Sequence, residues 1–188
     1  MNPILFAQWL SIPWGLSEAV VFLRDRQPGT GKQVDRGSRA IILAALVLMM
    51  WLAFTARLHS LALLPGPPLL WQALGVALMV SGIAIRQRAV RHLGQYFRTR
   101  VTMLDDHRLI TDGPYARLRH PSYTGGLLCC FAIGVALGSA VSLAAATIIP
   151  TLAFAHRIRI EERALAGHFG DAWTQYRGRT KALLPFVW

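Results

Sequence analysis

Two stretches of the chain hold side chains whose types and spacing suit chemistry. The first runs through His107, Arg108, Leu109, Ile110, Thr111, Asp112, Gly113, Pro114 and Tyr115, and resumes at Arg119, His120, Pro121, Ser122, Tyr123, Thr124 and Gly125. It is dense in hydrogen-bonding groups and reads as a shaped loop entering a helix. Pro121 suits a first helical turn, where its missing N–H costs little, and N–H groups at that helix start favour an anionic ligand group. His120 and Tyr123 flank that end. The second stretch is Arg157, Ile158, Arg159, Ile160, Glu161 and Glu162. Arg157 and Glu161 stand four residues apart on one helix face, so a cation and an anion are presented to one place. One role for them is an intrahelical ion pair worth on the order of a few tenths of a kcal/mol. The other is ligand binding, since ionisable groups at a membrane-facing helix end are functional candidates.

Lipid is the setting that positions them. The chain has 188 residues, 54% hydrophobic and 15% charged, against roughly 25% charged in a soluble domain. Between Ala40 and Ile85 the only charge is Arg57, and from Pro121 to Ala155 there is none. A helix crossing a hydrocarbon core of roughly 30 Å needs about 20 residues. Five segments fit: Asn2 to Leu23, Ser38 to Leu58, Leu69 to Arg88, and two arms of a hairpin within Ser122 to His156 that turns near Gly138 and Ser139. The hairpin arms are short, so tilt or local thinning is expected. The predicted fold is all-α, a polytopic helical bundle forming a single membrane domain. Three N-terminal spans occupy residues 1–89, and a catalytic half, residues 90–188, ends in a cytosolic tail.

The formal net charge of +11 is explained by orientation rather than by nucleic acid. Nineteen of the 20 basic residues fall in the loop after the first span, the segment after the third and the tail, leaving Arg57 opposite. Five spans put those three segments on one face, which is cytosolic by the positive-inside rule, and they also suit anionic headgroups. The amino terminus is then outside and the carboxyl terminus inside, as expected for an integral protein of a prokaryotic inner membrane. Met1 to Leu23 lacks a basic n-region and a small-residue cleavage pattern, so it is expected to stay as the first span. Cys129 and Cys130, adjacent in an apolar run, read as packing residues rather than a disulfide. The histidines lack zinc-ligand spacing, and no metal is expected.

Gly113-Pro114-Tyr115, Arg119-His120-Pro121-Ser122-Tyr123, Gly125, the Arg157 to Glu162 segment, and Leu165 with Phe169-Gly170 and Tyr176 together resemble the isoprenylcysteine carboxyl methyltransferase family. Related phospholipid methyltransferases share parts of the pattern. The resemblance covers roughly His92 to Pro185, and the ordered set is far more specific than a lone His-Pro. It implies S-adenosyl-L-methionine as methyl donor in a cytosolic pocket and a lipophilic acceptor arriving from the membrane. It assigns the donor to His107, Arg108, Leu109, Ile110, Tyr115, His120, Pro121, Ser122, Tyr123 and Glu161, and the acceptor to Arg157. Arg157 and Glu161 are the expected catalytic pair. Upstream the chain departs from the family: Arg100 stands near the place of a polar residue that contacts the donor.

The chemistry fits these residue types, because a sulfonium methyl is already activated and transfer chiefly needs in-line placement. A carboxylate acceptor requires no general base, so the lack of a Ser/His/Asp set does not exclude an enzyme. An amine acceptor, as in a phospholipid N-methyltransferase, would need its proton removed, with Glu161, Glu162 or His120 as candidates. Two further readings stand beside it: an NADPH-dependent membrane reductase resembling steroid reductases, which shares a His-Pro-x-Tyr-x-Gly element, and a non-catalytic lipid-binding scaffold.

The remaining residues receive structural expectations. Glu18, in the first span, pairs with an arginine or snorkels toward water. The six tryptophans mostly mark an interfacial belt. Gly75, Gly82, Gly134 and Gly138 permit close helix approach. Ala164, Leu165, Phe169, Trp173 and Tyr176 recur at helical spacing and form an amphipathic cytosolic helix that covers the pocket or simply packs.

Overall fold

The computed structural model describes residues 2–24, 31–33, 37–97, 102–104 and 108–183. Of the sites anticipated above, His107, Arg100 and Trp188 lie outside the described residues. Helix α1 is Pro3–Arg24, α2 is Ser38–Leu58, α3 is Pro68–Leu93, α4 is Pro121–Leu137, α5 is Ala140–Phe169 and α6 is Asp171–Arg179. Four of these, α1, α2, α3 and α5, are long and apolar enough to cross a membrane, and α4 is a shorter apolar helix. The protein is an all-α integral membrane bundle, with one addition: Gly31–Gln33 (β1) and Thr102–Leu104 (β2) form a short antiparallel ladder, Lys32 opposite Met103.

That ladder ties the α1–α2 loop to the segment after α3, so these two basic loops share one end of the bundle. The opposite end is closed by a second set of bonds. Leu64 N donates to Gly138 O at 3.0 Å, Ala140 N to Ala62 O at 2.8 Å, and the Ser139 hydroxyl to Leu61 O at 2.7 Å. The α4–α5 turn falls at Gly138 and Ser139 as the sequence suggests. Gly138 has φ +63, a left-handed helix cap that glycine adopts without penalty. Its expected role in close helix approach is therefore corrected: a Cβ there would come no nearer than 3.4 Å to Trp71, and the turn is what needs glycine.

Helix α4 is the centre, with twelve of its 17 residues buried. Its Ile133, Leu137, Ala132 and Cys129 form the core with Ala7, Leu10, Ala53 and Met79 from α1, α2 and α3. Small residues let α3 and α4 touch through their backbones. A Cβ on Gly82 would stand 2.8 Å from Gly125 O, one on Gly125 would stand 2.6 Å from Gly82 O and 2.7 Å from Arg86 N, and one on Gly75 would meet Ala136 Cβ at 2.7 Å. Gly134 plays the same part against Ala146 on α5, at 2.8 Å. Cys129 and Cys130 are free, buried thiols in this contact layer.

Three boundaries differ from the sequence reading, the first being α3, which runs past Arg88 to Leu93. The last span does not stop at His156: α5 continues to Phe169, about 45 Å in all, because nothing between His156 and Phe169 breaks a helix. The expected amphipathic helix is instead divided at Gly170, φ +52, so Leu165 and Phe169 lie on α5 while Trp173 and Tyr176 lie on α6. Gly125→Ala, which drives a methyl into backbone that has no rotamer to change, should lower stability by about 1–3 kcal/mol. Thermal unfolding in detergent checks this, with Gly167→Ala, whose Cβ meets nothing within 4 Å, as the control. Equal melting of the two variants would contradict a close α3–α4 seam.

Candidate active site

A cavity of ≈ 680 Å³ opens where the basic loops gather. Of the sequence-derived site residues, Arg108, Leu109, Ile110, Tyr115, His120, Ser122, Tyr123, Arg157 and Glu161 all line it. Pro121 does not: it is buried at the first turn of α4 and starts the helix that carries the others. Arg157, only 2% exposed, reaches across to α2, where its terminal guanidinium nitrogen donates to Ser38 Oγ at 2.6 Å. Its Nε donates to Tyr123 Oη at 3.3 Å, and Tyr123 in turn donates to Glu161 Oε2 at 2.7 Å. The cation and the anion of α5 are thus bridged by a hydroxyl from α4 and adjoin an open chamber. His120 stacks on Tyr123 with ring centroids 5.5 Å apart, and Tyr123 meets Phe154 at 5.1 Å.

The other two acids of this region hold structure together. Glu162 accepts from Arg119 Nε at 2.7 Å, lies 3.2 Å from His120 Nε2 and has Arg177 Nε at 3.8 Å. It is not among the residues that line the cavity, whereas Glu161 and His120, the other two groups considered above for proton transfer, are. Glu18 forms an ion pair with Arg86 across α1 and α3, and Trp14 Nε1 donates to it at 3.2 Å. The same arginine donates to Ser122 Oγ at 2.9 Å and Ser122 O at 3.1 Å. Sequence reasoning counted Arg86 only in the basic rim. The one available signal was an acid in the first span and an arginine in the third, each near the end of its helix that adjoins a basic loop.

Tyr115 is clamped from two sides. Its hydroxyl donates to Ala89 O at 3.4 Å, and its carbonyl accepts from Tyr176 Oη at 2.8 Å. Burial pushes both phenols up, Tyr176 to about 12, so both remain hydrogen-bond donors at neutral pH. Beside them His92 Nε2 lies 3.0 Å from Asp112 Oδ1, and that hydrogen bond holds the Asp112 carboxyl below its ordinary value. The segment after α6 runs against the loop before α4: Arg119 N donates to Lys181 O at 2.7 Å, His120 N to Ala182 O at 3.0 Å and Thr124 Oγ1 to Leu183 O at 2.7 Å. Leu165, Trp173 and Tyr176 bring α5 and α6 over the cavity. Two tryptophans therefore leave the expected interfacial belt, since Trp14 and Trp173 line the chamber, whereas Trp9 and Trp51 are exposed on the outer surface.

Fold and site together define an integral membrane bundle with a largely apolar chamber, charged at one end, near the ends of its spans. Residues 74–167 match the model of the isoprenylcysteine carboxyl methyltransferase (ICMT) family, a region that starts earlier than the motif set and ends before α6. The chain is 33% identical over 119 residues to the protein-S-isoprenylcysteine O-methyltransferase of Schizosaccharomyces pombe, covering 62% of this chain and 50% of that one. It is 30% identical to an Oryza sativa subsp. indica protein named "Probable protein-S-isoprenylcysteine O-methyltransferase", with 84% of each covered. Among solved structures, that of the eukaryotic intramembrane Ras methyltransferase ICMT superposes with a TM-score of 0.61 at 25% identity, over 82% of this chain and 55% of that one. The chain belongs to the isoprenylcysteine carboxyl methyltransferase family, whose methyl donor is S-adenosyl-L-methionine. It spans half the length of the fission-yeast relative and 84% of the rice relative.

Arg119 and Glu162 have side chains only 9% and 14% exposed, so Glu162→Ala strands a nearly buried cation, at a cost of about 3 kcal/mol. The expected outcome is earlier melting and faster protease cleavage after Gly170. Cleavage at the wild-type rate would show that α6 is held without this carboxylate.

Proposed function

We propose that the protein transfers the methyl group of S-adenosyl-L-methionine to the carboxylate of a lipophilic acceptor, an isoprenylcysteine or an analogue, at the cytosolic face of the membrane. The observation that carries the reading is the Arg157, Tyr123, Glu161 chain of hydrogen bonds facing a chamber that is charged at one end and apolar at the other. The donor set fits the methyl donor chemically. An amino acid end needs an anion and a cation, available in Glu161 and Arg108. An adenine needs an apolar slot, available in Leu109, Ile110, Leu165 and Trp173. When bound, the donor supplies a methyl on sulfonium that is already activated for displacement.

The chain's own residues do the rest. Arg157 binds one carboxylate oxygen by a charge-assisted bond and leaves the other free to attack. Ser38 and Tyr123 fix the guanidinium, so little reorganisation accompanies reaction. Tyr123 also orients Glu161 toward the donor end. The α5–α6 cover limits water at the reacting atoms. The acceptor reaches this place from lipid between α1 and α2, where Leu43 and Val47 both line the cavity and are exposed. A carboxylate acceptor is favoured over an amine because it needs no proton acceptor, and Glu162, one candidate for that task, is already engaged by Arg119. The positive-inside rule supports a cytosolic chamber and an outside amino terminus, since the basic loops gather at that end.

Arg157→Ala should lower methyl transfer to a prenylcysteine acid by about 100-fold or more, while affinity for the demethylated donor product stays near wild type by calorimetry. Glu161→Ala should weaken that affinity itself. Ser38→Ala, which removes the hydroxyl to which Arg157 donates, should lower transfer less than Arg157→Ala and leave that affinity near wild type. Equal, small effects of Arg157→Ala and Glu161→Ala on both measurements, or failure of wild-type protein to bind the donor product, would overturn the assignment.

A further inference from the structure

We infer that Trp14 and Met50 form the floor of the acceptor chamber and set the length of the hydrocarbon tail it takes. The inference rests on the acceptor being a lipophilic carboxylate. The cavity lining reaches no deeper than Ser11 on α1 and Met50 on α2. Immediately below, Ala7 and Leu10 of α1 and Ala53 of α2 close against Ile133 and Leu137 of α4 in the buried core. Trp14 and Met50 pack onto that core and onto the neighbouring cluster of Met49, Cys130 and Ala146. The space between α1 and α2 thus closes at its deep end against the core, while its side at Leu43 and Val47 stays open.

Its deepest polar groups are already bonded within the protein. Ser11 Oγ donates to Gln8 O at 2.6 Å, and Trp14 Nε1 is bonded to Glu18, whose carboxylate is held by Arg86. A sugar or peptide entering this space would exchange water for unmet hydrogen bonds, whereas a hydrocarbon loses nothing and gains burial. The head of the acceptor is fixed at the other end by Arg157, which is bonded to Ser38. From Ser38 to Met50 the axis of α2 rises about 18 Å, room for roughly a dozen extended chain atoms. A longer tail must bend out between the helices into lipid, where further carbons bring no added contact with the protein.

The test is a series of S-alkyl cysteine acids of about eight to about twenty chain atoms. Affinity is measured by calorimetry and methyl transfer with labelled donor, both on full-length protein in detergent. In wild type each added methylene should tighten binding about fourfold until the floor is reached, and the gain should then stop. Met50→Ala should move that break roughly two or three atoms longer, and Met50→Phe should move it shorter. A wild-type affinity that climbs without a break, or the same break in both variants, overturns the floor. Breaks that shift as expected in the binding arm while no acid is methylated keep the floor and overturn the proposed reaction. Methylation with no length dependence does the reverse.

Discussion

The close passage of α3 over α4 at Gly82 and Gly125 governs where the charged groups of the chamber can stand. With backbone against backbone, Arg86, one turn beyond Gly82 on α3, comes level with Ser122 at the start of α4. Its guanidinium then spans to Glu18 on α1, and three helices are fixed relative to one another by a single side chain. A side chain at either glycine would separate the helices, and the reach of an arginine would no longer cover both partners. Small residues thus do in the apolar layer what the ion pair does above it: they set distance, and the ion pair sets register.

At the chamber's charged end three arginines are matched with acids, which lowers the penalty an apolar surrounding sets on charge. Arg86 is matched by Glu18 and Arg119 by Glu162, while Arg157 and Glu161 share the Tyr123 hydroxyl. The first two pairs lock helices and the tail in place. The third differs in kind, because its members are linked through a hydroxyl that can release either one, and both face open space. A bridged pair is well suited to receiving a ligand with charges of its own, since the hydroxyl can follow whichever partner the ligand leaves exposed.

Much of this frame is legible in the sequence, and the reasons are local. Hydropathy and length find the spans because a bilayer imposes a ruler on each helix separately, and Gly138-Ser139 marks the hairpin turn because one residue must enter the left-handed region. The loop from Arg108 to Tyr123 and the face of Arg157 and Glu161 are found because proline, glycine and i,i+4 spacing act within a few residues. What stays hidden depends on distant partners. Arg86 reads as one more rim arginine until α1 is laid beside it, and Glu162 looks as available as Glu161 until Arg119 and the tail occupy it. Trp14 is an ordinary span tryptophan by composition, and its place in the chamber depends on how α1 faces α2 and α4.

The same distinction bears on what family membership can transfer to this chain. The matched region, residues 74–167, takes in Arg86, the α4 start and the Arg157 to Glu161 face, the groups that line the charged end of the chamber. The walls of the apolar space belong largely to α1 and α2, upstream of that region. Methyl transfer is limited chiefly by alignment, which the shared half provides, whereas selection among greasy acceptors follows from the shape and depth of a cavity. Kinship in the C-terminal half therefore speaks to the reaction. On the acceptor proposed above, selection of the tail rests with the first two helices, where Trp14 and Met50 meet the core.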